Sequence, residues 1–198
     1  QELVDRIEAH SPKLVEDLIP EKITLGVLVQ VLQNLLEENI RLKDMRTILE
    51  TIAKEAPSTQ NPRALTAAIR PELGRLIIQD LVDVNETLPV LTLDPELEQL
   101  FNDLVTRSQN PEEIALEPSL ADGLLTSTRE AIDELERKEM PAVLVVSPII
   151  RAWLSKLLRR VTKDLTVLSY VEIPDDQPIS VTSTISIKRE ETANAGQQ

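Results

Sequence analysis

The sequence predicts an α+β fold: an N-terminal all-helical subdomain followed by a small α/β subdomain with a sheet of about four strands. Three observations predict it. Up to Asp83, apolar residues recur only at helical spacing. Beyond Asp83, the short apolar runs Leu88–Leu93, Val143–Val146, Leu165–Val171 and Ile179–Ile187 alternate with helical stripes, the order of a layered α/β structure. Aromatic residues make up 2% of the 198-residue chain while hydrophobic residues make up 41%, so the cores must be built from Leu, Ile and Val.

Residues 1–10 read as the end of a helix from a preceding subdomain, with Leu3 and Ile7 inward. The chain begins inside that pattern without an initiator Met, as a fragment of a longer protein would. Residues 11–85 form the expected helical subdomain. Ser11-Pro12 opens a short helix through Leu18, because Pro at the first helical position loses an N–H that had no partner anyway. Leu28, Val31, Leu32, Leu35 and Leu36 form one apolar stripe, and Asp44 opens a second helix with Met45, Ile48, Leu49, Ile52 and Ala53 inward. So short a turn between them predicts an αα-hairpin over Gly26–Pro57. Asn61-Pro62 starts a third stripe: Leu65, Ala68, Ile69, Leu73, Leu76, Ile77 and Leu81. Pro71 inside it predicts a kink or break near Arg70, since its ring crowds the preceding turn.

Residues 86–187 form the expected α/β subdomain. Asp94-Pro95 caps a helix carrying Leu97, Leu100, Phe101 and Leu104, and Pro118 opens another with Leu120, Leu124, Ala131 and Leu135 on one face. Ser147-Pro148 caps a third, whose inward side reads Ile150, Trp153, Leu154, Leu157 and Val161. Pro174–Pro178 is a turn. Ile179, Val181, Ser183, Ile185 and Ile187 then alternate with polar residues, which predicts a strand with one buried face. Residues 188–198 carry no apolar side chain larger than alanine and read as a disordered tail.

A net charge of −13 argues against a nucleic-acid partner, and no apolar run approaches the roughly 20 residues that span a bilayer. Enzymatic readings find little support. The four glycines, Gly26, Gly74, Gly123 and Gly196, stand alone, so no phosphate loop or dinucleotide fingerprint exists. His10 is the single histidine, which removes zinc clusters and the usual triads, and cysteine is absent. Asp175 and Asp176 read as solvated turn carboxylates, and Ser147 as a helix cap without a base. No catalytic residue, metal ligand or cofactor site is expected.

Two charged groups read as binding candidates. Glu37, Glu38, Arg41, Lys43, Asp44 and Arg46 crowd the hairpin turn with both signs, which suits a polar subunit contact as well as a solvated turn. Arg151, Lys156, Arg159, Arg160 and Lys163 gather cations around one helix of an acidic chain. They either complement the helix dipole or face outward to dock an acidic partner.

The hairpin also carries a resemblance. Val31-Leu-Gln-Asn-Leu-Leu, Lys43-Asp-Met-Arg-Thr-Ile-Leu-Glu-Thr-Ile-Ala and Ala56-Pro57 resemble the FlhA-type export gate proteins of flagella and type III secretion injectisomes. Collinear matches follow at Leu88–Gln99, Leu116–Asp122, Val143–Pro148 and Leu165–Pro174, so the resemblance covers roughly Pro12 to Ile187. Glu50–Pro57 with Asn61-Pro62 looks more flagellar than injectisome-like.

The resemblance implies a function that the residues alone do not. Such proteins form a homo-oligomeric ring beneath the membrane channel and dock export substrates, chaperones and the export ATPase complex. This chain would hold the third (helical) and fourth (α/β) of four cytoplasmic subdomains of a bacterial inner-membrane protein. It would reach the membrane only through an N-terminal transmembrane region it does not contain. The family's chaperone-docking depression lies in the first two subdomains, and none of its residues is carried over. Glu37, Arg41, Lys43, Asp44 and Arg46 then become candidates for the subunit interface, and the cationic helix a candidate for partner docking. The alternatives are an injectisome gate of the same family and a freestanding non-enzymatic adaptor.

Overall fold

A computed structural model of the chain describes residues 23–110, 114–159, 162 and 164–187. The expected helices within 1–18, His10, the second half of the Ser108–Glu113 loop, Val161 and the 188–198 tail lie outside the described residues. The fold is α+β, and the chain divides into two units. One comprises Gln1–Glu86 with Val171–Gln177, the other Thr87–Tyr170 with Pro178–Gln198.

The first unit contains four described helices: α1 (Leu25–Glu37), α2 (Met45–Glu55), α3 (Pro62–Glu72) and α4 (Gly74–Gln79). Their buried faces follow the sequence stripes, with Leu28, Val31, Leu32 and Leu35 of α1 and Ile48, Leu49 and Ile52 of α2 inside, but Leu36, at the edge of the α1 stripe, is exposed. The α1 end is closed by Asn39 at φ 58°. Asn39 N–H reaches Leu36 C=O and Ile40 N–H reaches Leu35 C=O, satisfying two terminal carbonyls while Ile40 plugs the core. The expected hairpin is looser than the short turn suggested. Both α1 and α2 pack chiefly on α3 rather than on each other, because α3 offers Leu65 and Ile69 to the core and Thr66 Oγ1 to Asn34 Nδ2 at 3.2 Å.

Pro71 does break the helical run, but beyond Arg70. Helix α3 continues through Pro71 to Glu72, and Leu73 at φ −92°, ψ 3° separates it from α4. Placed in the last turn, Pro71 removes one donor where few remain to be made. Leu73 N–H closes the end on Ile69 and Arg70 C=O at 3.1 Å each.

The second unit is a four-stranded, all-parallel sheet in the order β3-β2-β1-β4, formed by β1 (Leu88–Leu93), β2 (Val143–Val146), β3 (Thr166–Ser169) and β4 (Ile179–Ile185). Helices α5 (Pro95–Arg107), α6 (Pro118–Glu136) and α7 (Pro148–Leu158) supply the core with Phe101, Leu124, Ile132, Ile150 and Leu154. These pack over Leu91, Leu93, Leu144, Val146, Val167 and Ile185. Trp153 stays half-buried, edge-on to Phe101 with ring centroids 5.2 Å apart. The predicted caps form as expected: Asp94 accepts from Glu96 and Leu97 N–H, and Ser147 from Ile149 N–H.

Two sequence expectations need correction here. β3 is shorter than Leu165–Val171, since Tyr170–Glu172 winds into a 3-10 turn. The single buried face expected for β4 is split. Val90 pairs with Val181 but Leu91 pairs with Ser183, so Thr182 is an extra residue, a β-bulge. The bulge reverses the alternation: Ser183 and Ile185 share the helix-covered face with Leu91 and Leu93. Ile179 and Val181 point to the opposite face, 50% and 56% exposed.

Candidate functional site

The charged turn after α1 is largely occupied by its own structure. Arg41 Nε donates to Asp80 Oδ2 at 2.6 Å, and the guanidinium forms an ion pair with the same carboxylate. Asp44 caps α2, accepting from Thr47 N–H at 3.1 Å and Thr47 Oγ1 at 2.7 Å. Arg46 donates to Glu50 at 2.7 Å, one turn along α2, and this bond with the Glu50 charge raises the Arg46 guanidinium above its ordinary value. Glu37 ends α1 on the exposed side. Lys43 is exposed and makes no ion pair among the described residues. The turn is thus held at both ends and presents Glu37, Lys43 and Arg46 outward.

Glu38, on that turn, points inward to a site the sequence did not reveal. Arg70 is 2% exposed and lies between two carboxylates. Its Nε and Nη2 donate to Glu172 Oε2 at 3.1 and 2.7 Å, and its Nη1 pairs with Glu38 Oε2. Glu172 is itself 3% exposed. A buried cation requires such partners, since removing a charge from water costs several kcal/mol. Gly74 sits opposite the same segment, where a Cβ would collide with the Glu172 carbonyl oxygen. Arg75 then donates to Asp176 at 2.9 Å.

This pairing explains why Val171–Gln177 belongs to the helical unit, whereas sequence patterning ran the second subdomain unbroken from 86 to 187. One signal could have exposed it. Arg70 follows Ile69 and sits one turn after Thr66, on the flank of a buried stripe where a charge needs a partner.

The cationic helix is less cationic outside than expected. Arg151 is 4% exposed, so its side chain is buried rather than presented to a partner. The buried residues of α7 are Ile150, Arg151, Leu154, Ser155 and Leu158; of the expected inward side, Ile150 and Leu154 are buried and Trp153 and Leu157 are half-buried against the same core. Lys156 is exposed, and Arg159 is half-buried with Nη2 3.4 Å from Ser155 Oγ. Arg160 and Lys163 lie outside the described residues. At the other end of α7, Ser147 N–H donates to Glu98 at 2.7 Å and its Oγ lies 2.9 Å from Asn102 Oδ1, so its hydroxyl is absorbed in capping. Among the described residues, no helix is long and apolar enough to cross a membrane.

Solved structures share the fold of this chain. Chlamydia pneumoniae CdsV matches with a TM-score of 0.82 at 27% identity, over 93% of this chain and 53% of that one. A structure of the CdsV and CdsO complex from the same organism matches at 0.78 and 27%, over 93% and 53%. The nonameric EPEC SctV-C shares the fold at 0.74 and 23%, over 93% and 55%. The chain belongs to the FHIPEP family, whose model matches residues 1–178. It is 44% identical to the flagellar biosynthesis protein FlhA of Salmonella typhimurium over 188 residues and 43% identical to that of Escherichia coli. These matches cover 95% of this chain and 26% of each relative, so the chain spans about a quarter of their length.

Proposed function

We propose that this chain is the C-terminal part of the cytoplasmic region of a flagellar export gate, a non-enzymatic module of a bacterial inner-membrane protein. It works in a ring of identical copies that docks export substrates, chaperones and the ATPase complex. The observation that carries this reading is the 44% identity to a flagellar relative over nearly the whole chain. The injectisome-type structures with the same fold stand at 27%. Self-assembly draws on the nonameric form of SctV-C and a bound partner on the CdsV and CdsO complex. Lys43 and Arg46, exposed on a turn whose backbone is fixed, supply a polar contact for a neighbouring copy, and Lys156 and Arg159 a contact for an acidic partner.

The test is a chimera in which this chain replaces the matching quarter of Salmonella typhimurium FlhA. Restored swimming and export of flagellar proteins is the expected result. A stably produced chimera that exports nothing, together with the equivalent chimera of Shigella flexneri MxiA secreting normally, would assign the chain to the injectisome branch. Failure of both stable chimeras would leave the freestanding adaptor.

A further inference from the structure

Strand β4 forms one edge of the sheet, hydrogen-bonded to β1 on one side and, among the described residues, to no strand on the other. Leu88 N–H donates to Pro178 C=O at 2.9 Å, and Leu88 stands opposite Ile179. In a parallel ladder this register turns the N–H and C=O groups of Ile179 and Val181 away from β1. Natural edge strands are blunted by charge, proline or shortness, because an open row of donors and acceptors pairs with any strand it meets. The other edge, β3, is only four residues long. β4 has seven residues, Ile-Ser-Val-Thr-Ser-Thr-Ile, with no charge and no proline. Its one protective feature is the bulge at Thr182.

The surfaces flanking this edge differ in character. On one face Ile179 and Val181 are half exposed. On the other, a groove of about 500 Å³ runs between β4 and α6, lined by Asp122, Glu130 and Glu134 with Ser183 and Ser186, and among the described residues no Lys or Arg lines it. None of the three carboxylates is ion-paired among the described residues. A strand added to β4 would set alternate side chains on these two faces. The apolar face calls for apolar residues and the acidic groove for cations.

We propose that β4 is a docking edge for an extended peptide segment with alternating apolar and basic residues, which adds to the sheet as a fifth strand. Main-chain hydrogen bonds to Ile179 and Val181 hold the segment, and Asp122, Glu130 and Glu134 select its charge. This inference stands on the sheet alone and does not depend on the export reading.

The test uses the full chain and a fluorescein-labelled (Val-Lys)₄ peptide followed by fluorescence anisotropy. Three comparison peptides are (Val-Glu)₄ and two forms of (Val-Lys)₄, one N-methylated at every Val and one at every Lys. A strand presents Val amides on one edge and Lys amides on the other, so one methylated form should bind as the parent does and the other at least tenfold more weakly. Glu130→Lys with Glu134→Lys should weaken binding at least tenfold. Val181→Pro and Val181→Lys should do the same while the thermal midpoint holds. Equal binding by both methylated forms, or by (Val-Glu)₄, overturns strand addition. Absence of saturable binding overturns the proposal as well, and recovery of binding on removing residues 188–198 would assign the edge to the chain's own tail. A concentration-dependent dimer in sedimentation that Val181→Lys dissociates would assign it to a second copy.

Discussion

Replacing Arg70 by Met tests the reasoning about the buried charges most directly. Met keeps an unbranched stem of similar reach, so the packing loss is small and the lost guanidinium dominates. Arg70 makes two bonds to Glu172 and one ion pair to Glu38. Without it, a carboxylate that is 3% exposed and one that is 15% exposed lose the guanidinium that pairs with both. Breaking a buried pair from one side typically costs about 3–5 kcal/mol, whereas replacing the whole pair by apolar groups is often near neutral. Arg70→Met should therefore cost the helical unit about 3–5 kcal/mol in urea unfolding followed by circular dichroism. The double variant Arg70→Met, Glu172→Leu should recover at least half of that loss. Amide exchange should also rise selectively in Val171–Gln177, which Glu172 anchors to its unit. A cost below about 1 kcal/mol for the single variant, or a double variant as unstable as the two single losses added together, would refute the account.

Three further outcomes are expected. Gly74→Ala should destabilise by about 1–3 kcal/mol in the same unfolding assay, because the clash with the Glu172 carbonyl outweighs the roughly 1 kcal/mol that alanine gains in a helix. Thr128→Val should raise stability by about 1 kcal/mol in thermal unfolding, since the fully buried Thr128 hydroxyl has no hydrogen-bond partner among the described residues. Lys43→Glu with Arg46→Glu should abolish flagellar export in cells while leaving the thermal midpoint nearly unchanged; normal export would remove both residues from the proposed subunit contact.

Local chemistry was the most legible part of the sequence. Asp44, Asn61, Asp94 and Ser147 each cap a helix with their own side chains, as a short polar residue before an apolar stripe should. The apolar stripes of α1, α2 and α3 went inside, and four short β-branched runs became one sheet. Arg70 was legible as a cation on the flank of a buried stripe, but its partners were not, because Glu38 and Glu172 lie 32 and 102 residues away and no local pattern joins them. The return of Val171–Gln177 to the helical unit was hidden for the same reason. It depends on that distant pair and on one small residue, Gly74, that reads only as an isolated glycine inside an apolar stripe.

The two errors at the candidate surfaces share a cause of a different kind. Periodicity reveals that an element has an apolar face, but its phase is settled by what packs against it. In α7 the expected stripe through Ile150, Trp153, Leu154 and Leu157 does pack on the core, but the buried side extends one residue further, to Leu158, and takes Arg151 inside. In β4 a single extra residue, Thr182, reversed the alternation and left Ile179 and Val181 outside. Each shift is one residue in register, yet together they exchange the surfaces available for binding. The cationic helix loses a charge that a docking reading relied on, while the uncharged edge strand beside an acidic groove becomes the surface whose backbone is open to a partner.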